Sequence, residues 1–183
     1  MKTSRSKAFL LPLLLSGVFL ASCVTQKKPA FEPLLSQSRG YFEAGELQKA
    51  IDSYCAALKK YPQEKTILKE YIKTLEEMKR LADEASAKED FASAGKAYSV
   101  LGKNHSFYEK VAQPPAFSSG SLEEGLKKCR TRLTQKGLEQ YRKGNLAEAI
   151  SLWQGILLFD PDNIEIKKAV DTATQQLKKL RKK

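Results

Sequence analysis

The sequence has few of the side chains that enzymes and metal sites commonly use. Its 183 residues include a single histidine, His105, and only three cysteines. We predict that His105 lies in a surface loop, and no Cys or carboxylate stands at metal-ligand spacing from it. No glycine-rich phosphate loop follows a strand, and no serine occupies a nucleophile elbow. We therefore expect no enzyme, no catalytic residue, no metal site and no cofactor.

Cysteine is too scarce to form a disulfide framework. Cys55 and Cys129 are far apart in the chain, and each falls within a predicted helix. An oxidising compartment would permit a disulfide between them, but two such residues do not define one. We expect two unpaired thiols.

Long hydrophobic runs are also scarce, and the one present is at the N-terminus. Lys2, Arg5 and Lys7 precede an apolar run from Ala8 to Ala21 that contains Pro12. This run is too short for a typical membrane span and has the length and polarity of a secretory signal. We assign residues 1–22 to a signal peptide.

The end of this signal indicates lipidation. Leu20-Ala21-Ser22-Cys23 resembles the lipobox of bacterial lipoproteins, which implies that Cys23 is acylated and becomes the new N-terminus. An ordinary cleavable signal with an incidental cysteine, or an N-terminal membrane anchor, remains an alternative. In double-membrane bacteria an Asp after this cysteine commonly marks inner-membrane retention, and Val24 stands there instead. The resemblance thus implies an outer-membrane protein that faces the periplasm.

Acidic residues are outnumbered, with 21 Asp and Glu against 32 Lys and Arg, giving a net charge of +11. Removal of the signal peptide would take away three of the positive charges. A basic cytosolic protein would suggest nucleic acid as a partner, but export argues against it. Lipid head groups, acidic proteins and anionic cell-wall polymers remain as partners, and the charge does not choose among them.

Proline and glycine are clustered rather than spread along the chain. Residues 23–33, with Pro29 and Pro33, show no helical period and predict a flexible tether behind the lipidated cysteine. Residues 34–183 show the helical spacing of apolar residues. A second cluster at Asn104–Ser121 predicts a loop, partly packed through its aromatic residues.

Two stretches of the helical part repeat each other. The segment from Gly45 to Pro62 recurs, in register, as the segment from Gly144 to Pro161. Each has a turn glycine, a regularly spaced apolar stripe with an aromatic residue, and a terminating proline, which together predict two helices joined by a turn.

These stretches resemble the tetratricopeptide repeat (TPR) family. The matching positions are Ser38, Tyr41, Gly45, Leu47, Ala50, Tyr54, Ala57 and Pro62, and again Gly137, Tyr141, Gly144, Leu146, Ala149, Trp153, Ile156 and Pro161. Ile156 departs from the small residue usual in the family, and neither copy has the common early Trp. A degenerate third copy lies between them, with Glu89 in place of the turn glycine.

The resemblance implies an all-α fold, a short right-handed α-solenoid. It would contain about three helical hairpins, at residues 34–62, 64–102 and 122–161, followed by a capping helix at 162–181.

Local signals place the remaining helix boundaries. An apolar row predicts a long helix from about Glu64 to Ala87, and Ser121 with Glu124 predicts a capping box for a helix that begins at Leu122. Asp162 or Asn163 is expected to cap the last helix. The predicted apolar rows are Leu68, Ile72, Leu75, Met78, Ala82 and Ala85 in the long helix, and Ile166, Val170, Ala173, Leu177 and Leu180 in the last.

In the TPR family, the first helix of each repeat lines a groove that binds a protein segment. By position, this implies the groove residues Leu35, Arg39, Phe42 and Glu43 in the first repeat and Thr134, Leu138, Tyr141 and Arg142 in the last. Phe42 and Tyr141 would be the aromatic anchors, or else packing residues between repeats. Leu35 and Thr134 stand where carboxylate-clamping members have Lys, so we do not predict that ligand.

The sequence thus favours a lipid-anchored adaptor or assembly factor that binds a protein or peptide segment of an envelope complex. The alternative is a peripheral module that binds cell-wall polymer or anionic lipid through its basic surface.

Overall fold

The computed structural model describes residues 29–181. These residues form eight α-helices and no β-strand. The helices are α1 (Glu32–Glu43), α2 (Leu47–Lys60), α3 (Lys65–Ala87), α4 (Phe91–Lys103), α5 (His105–Tyr108), α6 (Ser119–Arg142), α7 (Leu146–Leu157) and α8 (Ile164–Leu180). The predicted all-α class is confirmed for this part of the chain, whereas the signal peptide, Cys23 and most of the tether lie outside it.

Three helices end in the same tight turn. α1, α3 and α6 are each followed by three residues and then by the next helix. The middle residue of each connection has a positive φ: 71° at Gly45, 62° at Glu89 and 81° at Gly144. Its N–H donates to the carbonyl three residues back, and the next N–H donates to the carbonyl five residues back. A left-handed residue permits this double closure of a helix end.

The helices pack mainly on their neighbours in the chain. α1 packs on α2, α3 on α4, and α6 on α7, while α8 packs on the other side of α7. α4 also packs against α6, which joins the middle pair to the last one. A continuous apolar core runs through all of these contacts.

Small residues allow the two helices of the last pair to approach closely. A Cβ added at Gly137 in α6 would lie 2.3 Å from Nε1 of Trp153 in α7. Trp153 is nearly buried, and Ala149 beside it on α7 is completely buried. In the first pair Ser38 is buried at the matching position, and its hydroxyl lies 2.9 Å from that of Ser53 in α2.

The start of α6 differs from the prediction. The helix begins at Ser119, and its N-cap is Ser118, whose hydroxyl accepts a hydrogen bond from the N–H of Ser121 at 3.3 Å. The predicted capping box of Ser121 and Glu124 is therefore wrong. The Ser121 hydroxyl instead donates back to the Ser118 carbonyl at 2.7 Å. Ser118 has the same N-cap preference and lies one turn earlier, so it adds a turn to the helix.

The segment between α4 and α6 is more ordered than a surface loop. His105 begins the short helix α5, and its Nδ1 lies 3.0 Å from a carboxylate oxygen of Glu109, so its assignment to a loop without a carboxylate partner is corrected. Tyr108 is buried, donates its hydroxyl to the carbonyl of Leu101 at 3.2 Å, and packs edge-on against Phe117. The aromatic packing expected of this segment is therefore present.

Two predicted apolar rows also need correction. The fully buried row of α3 is Ile67, Tyr71, Leu75, Met78, Ala82 and Ser86. Leu68, Ile72 and Ala85 are only partly buried, because α3 packs against both α2 and α4 and its apolar face is broad.

In α8, the N-cap is Asn163, one of the two predicted candidates. Its side chain accepts a hydrogen bond from the N–H of Ile166. Leu180, predicted to belong to the apolar row of α8, is 62% exposed.

Candidate interaction surface

Arg39 ties the first helix pair to the second. From α1, its Nη2 and Nε donate to the two carboxylate oxygens of Glu70 in α3, at 2.6 and 3.0 Å. Its Nη1 donates to Glu32 at 2.9 Å. The bonds to Glu70, then to Glu32, hold the pKa of the guanidinium above its ordinary value. The guanidinium of this predicted groove residue is therefore hydrogen-bonded to two carboxylates of the same chain.

A crevice lies between α1 and α3, with α2 as its floor; we call it the N-terminal crevice. Its lining residues are Arg39, Phe42, Tyr54, Glu70, Lys73, Thr74 and Glu77. The floor is fixed because the Thr74 hydroxyl lies 3.2 Å from that of Tyr54, whose pKa is raised by burial. The crevice combines one partly buried aromatic ring with charges of both signs.

The other predicted groove residues of α1 are in different environments. Phe42 is half-buried and lines the N-terminal crevice, and Glu43 is exposed. Leu35 is completely buried in the core and offers no surface to a partner. Its side chain faces the core between the helices rather than the crevice. The prediction that Leu35 is a groove residue is therefore wrong.

The predicted residues of α6 are more accessible. Leu138 is 40% exposed, and Arg142 is exposed. Thr134 is half-buried. Tyr141 is half-buried too, and its ring lies 5.7 Å from that of Trp153. Tyr141 thus combines packing with a partly open face.

A shallow middle groove runs between α3 and α6. Its lining includes a polar group in which Asp83 accepts hydrogen bonds from Tyr98 at 2.7 Å and from Lys79 at 2.8 Å. Burial alone would raise the pKa of Asp83, but the bonds from Lys79 and Tyr98 lower it. Burial, followed by the hydrogen bond to Asp83, raises the pKa of Tyr98. These groups satisfy one another, and their bonds join α3 to Tyr98 of α4, which also lines the groove.

The exposed side of α6 carries a basic face, which we define as Lys127, Lys128 and Arg132 around Thr131, with the carboxylate of Glu124 on the same surface. None of its three cations forms an ion pair with any carboxylate of residues 29–181. Other cations of α6, such as Arg130 and Lys136, are paired with Asp160 and Glu89. Part of the net positive charge is therefore concentrated and available on one helix.

A cleft at the end of the described chain was not anticipated as a site; we call it the C-terminal cleft. It is formed where α6, α7 and α8 meet, and it is lined by Tyr141, Arg142, Gly144, Leu146, Gln176, Lys179 and Leu180. The prediction included Tyr141 and Arg142 but missed the wall supplied by α8. The signal for that wall was present, since Leu180 belongs to the predicted apolar row of the last helix.

The two internal cysteines are free thiols, as expected. Cys129 is buried, and burial raises its pKa to about 11. Burial also raises the pKa of Cys55, whose Sγ lies 4.0 Å from the Tyr71 hydroxyl. Neither thiol has the lowered pKa that activates a nucleophilic cysteine.

Within residues 29–181, no group of three or more His, Cys, Asp or Glu side chains is placed to hold a metal ion. None of the helices in this range combines the length and the apolar character needed to cross a membrane. Compared with known proteins, the chain matches no family model and shows no significant match to a curated protein.

Proposed function

We propose that the protein is a lipid-anchored adaptor of the bacterial cell envelope, built as a short TPR-like array that binds a protein segment. The observation that carries this proposal is the turn that ends α1, α3 and α6, each followed by a packed partner helix. Three helix pairs closed by the same hydrogen bonds are expected of a repeat protein, even where the turn residue is Glu89.

The distribution of open surface supports a binding role. The N-terminal crevice and the middle groove both lie between successive first helices, α1 to α3 and α3 to α6. Arg39 with Glu70 joins the two walls of the crevice, and Asp83 with Tyr98 joins α3 to α4 in the middle groove. A rigid surface with half-buried aromatic residues and both signs of charge suits protein recognition, because little entropy is lost when it binds.

The envelope address rests on Leu20 to Cys23 and the basic, apolar signal before it. In the proposed mature protein, Cys23 is acylated and the chain is held at the outer membrane, facing the periplasm. Several acyl chains give a stable anchor, because each buried methylene contributes about 0.8 kcal/mol.

The anchor is tested by replacing Cys23 with Ser. Membrane-bound lipid label should disappear and the precursor should accumulate. Acylation that continues in Cys23→Ser would contradict the lipoprotein assignment. Replacement of Cys55 by Ser is the matched control and should leave labelling unchanged, because Cys55 lies within the helical part.

The adaptor role is tested by pull-down from crosslinked envelopes at low and high salt. A defined protein partner that stays bound in high salt supports the proposal. The Debye length is about 10 Å in 0.1 M salt and shorter in more salt, so added salt weakens the attraction between exposed charges but not apolar contacts. Capture of no protein by the wild type would contradict it.

The basic face of α6 supports a second candidate, a module that binds cell-wall polymer or anionic lipid. Lys127, Lys128 and Arg132 are exposed and have no ion pair with residues 29–181. Under this candidate, the same pull-down recovers polymer or lipid that is lost in high salt. Charge reversal of Lys127, Lys128 and Arg132 to Glu would then abolish binding, whereas under the adaptor proposal it leaves the protein partner bound.

A further inference from the structure

The repetition within the chain extends beyond the two segments recognised in the sequence. With the same offset that relates Gly45 to Gly144, α3 corresponds to α8. Ile67 in α3 and Ile166 in α8 are both buried near the start of these helices. Near the other end, Leu81 and Leu180 correspond, and they are 41% and 62% exposed. The same framework therefore occurs twice, and one copy can serve as a reference for the other.

In the first copy, the charges around the exposed leucine are satisfied within the chain. Arg80, which precedes Leu81, forms ion pairs with Glu77 and Glu84 on the same helix. Glu43 is the last residue of α1 and is exposed. The charge of Arg80 is therefore offset by carboxylates of its own helix.

In the second copy, the charge is reversed. Arg142 stands at the position of Glu43, Gln176 at that of Glu77, and Lys179 at that of Arg80. Among residues 29–181, no carboxylate lines the C-terminal cleft. Neither Arg142 nor Lys179 forms an ion pair with any group in residues 29–181.

The floor of the C-terminal cleft is apolar. Tyr141 is held by its ring contact with Trp153, Leu146 is nearly buried at the start of α7, and Leu180 presents an open apolar wall. The cleft therefore places an exposed leucine beside two cations that have no ion pair with residues 29–181. The ligand that matches this surface has apolar side chains for the floor and carboxylates for Arg142 and Lys179.

We propose that the C-terminal cleft binds an acidic amphipathic segment of a partner protein, with its apolar face on Tyr141, Leu146 and Leu180 and its carboxylates against Arg142 and Lys179. This inference rests on the proposed adaptor function and specifies where on the surface, and by what chemistry, the partner is held. An amphipathic segment on an apolar groove is a common mode of protein recognition.

The chain carries its own reporter for this site. Trp153 is the only tryptophan, and it lies against Tyr141, whose other side lines the cleft. We would titrate the full-length protein in detergent with a synthetic peptide that has Leu at helical spacing and Glu elsewhere, without Trp or Tyr. A peptide with Lys in place of each Glu is the comparison.

The Glu peptide should change Trp153 fluorescence saturably, and the Lys peptide should not. The variant Arg142→Glu with Lys179→Glu should bind the Glu peptide at least about tenfold more weakly, because two contacting charges become repulsive. The variant Lys59→Glu with Lys168→Glu changes the net charge equally at exposed positions outside the cleft, and its affinity should stay close to that of the wild type.

Three outcomes would overturn the inference. The first is that both peptides bind equally well. The second is that both double variants weaken binding of the Glu peptide equally. The third is that Arg142 and Lys179 bind phosphatidylglycerol vesicles while the Glu peptide does not bind. The envelope pull-down separates this inference from the function beneath it. A partner captured equally by the wild type and by Arg142→Glu with Lys179→Glu overturns only the cleft, whereas no captured protein overturns the adaptor function.

Discussion

At the scale of single residues, the three turn positions adopt the same left-handed conformation although one of them is not glycine. Gly45 and Gly144 have positive φ and no neighbouring atom within 4 Å of an added Cβ. A side chain there would be strained by the backbone alone. Glu89 bears that strain and partly offsets it through a 2.6 Å ion pair with Lys136 of α6. The turn is thus set by the hydrogen bonds of the helix ends and not by glycine alone.

Replacing Gly144 by Ala should lower the free energy of unfolding by about 1 kcal/mol, because a left-handed L-residue costs about 1–2 kcal/mol. Gly40→Ala is the control, since Gly40 lies inside α1 with open space around it. This substitution should stabilise the protein by about 0.5–1 kcal/mol. Urea unfolding followed by circular dichroism measures both. Equal effects of the two substitutions would contradict the turn assignment.

The Asp83 carboxylate predicts a pH dependence. Its folded pKa is lowered, so its contribution to stability is present above the unfolded value of about 3.9 and is lost as the pH falls through the folded value. Asp83→Asn should therefore be less stable than the wild type at neutral pH, and the difference should shrink in acid.

Urea unfolding at about pH 7 and about pH 3, on either side of the ordinary Asp pKa, tests this. Asp171→Asn is the control, because Asp171 is exposed on α8 and has no ion pair with residues 29–181. A stability difference for Asp83→Asn that is the same at both pH values would contradict the assigned role.

At the scale of helices, the sequence predicted existence and type well and boundaries less well. Periodicity placed α2, α3 and α8, because each has one face that must be buried. The capping signal misplaced the start of α6, because Ser118 and Ser121 have the same N-cap preference. The family resemblance placed Leu35 in a groove, because the position of a residue in a family pattern does not state how far the next helix covers it.

The cap of α6 is open to direct test. Ser118→Ala should destabilise the protein by about 1 kcal/mol, because the N–H of Ser121 loses its acceptor. Ser121→Ala should have a smaller effect, since its hydroxyl only donates to a carbonyl in the first turn. Thermal unfolding of both variants measures the difference, and a larger loss in Ser121→Ala would restore the capping box of Ser121 and Glu124.

The close contact of α6 and α7 makes a second prediction at this scale. Gly137→Ala should cost about 1–3 kcal/mol, because the added methyl group overlaps the indole of Trp153 and the core is already filled. Gly40→Ala again serves as the control. Unfolding followed by Trp153 fluorescence reports on the site itself, and unchanged stability and emission would show that the helices can separate without loss.

At the scale of the whole molecule, the distribution of charge and apolar surface could be predicted only in part. The net charge of +11 is visible in the sequence, but its separation into paired and unpaired cations is not. Arg39 is fully engaged by Glu70 and Glu32, while Arg142 has no ion pair with residues 29–181. Such differences arise from contacts between helices far apart in the chain, which local periodicity does not report.

The central claim is that a protein partner lies along the first helices of the pairs. Site-specific photocrosslinking in living cells tests it most directly, with the photoreactive residue placed at Phe42, Leu138 or Tyr141 in turn. Leu158 is the control position, since it is 65% exposed and lies at the end of α7, outside the crevices. The account predicts one discrete protein adduct from the first-helix positions and none from Leu158. No adduct at any first-helix position, or an equal adduct at Leu158, would contradict it.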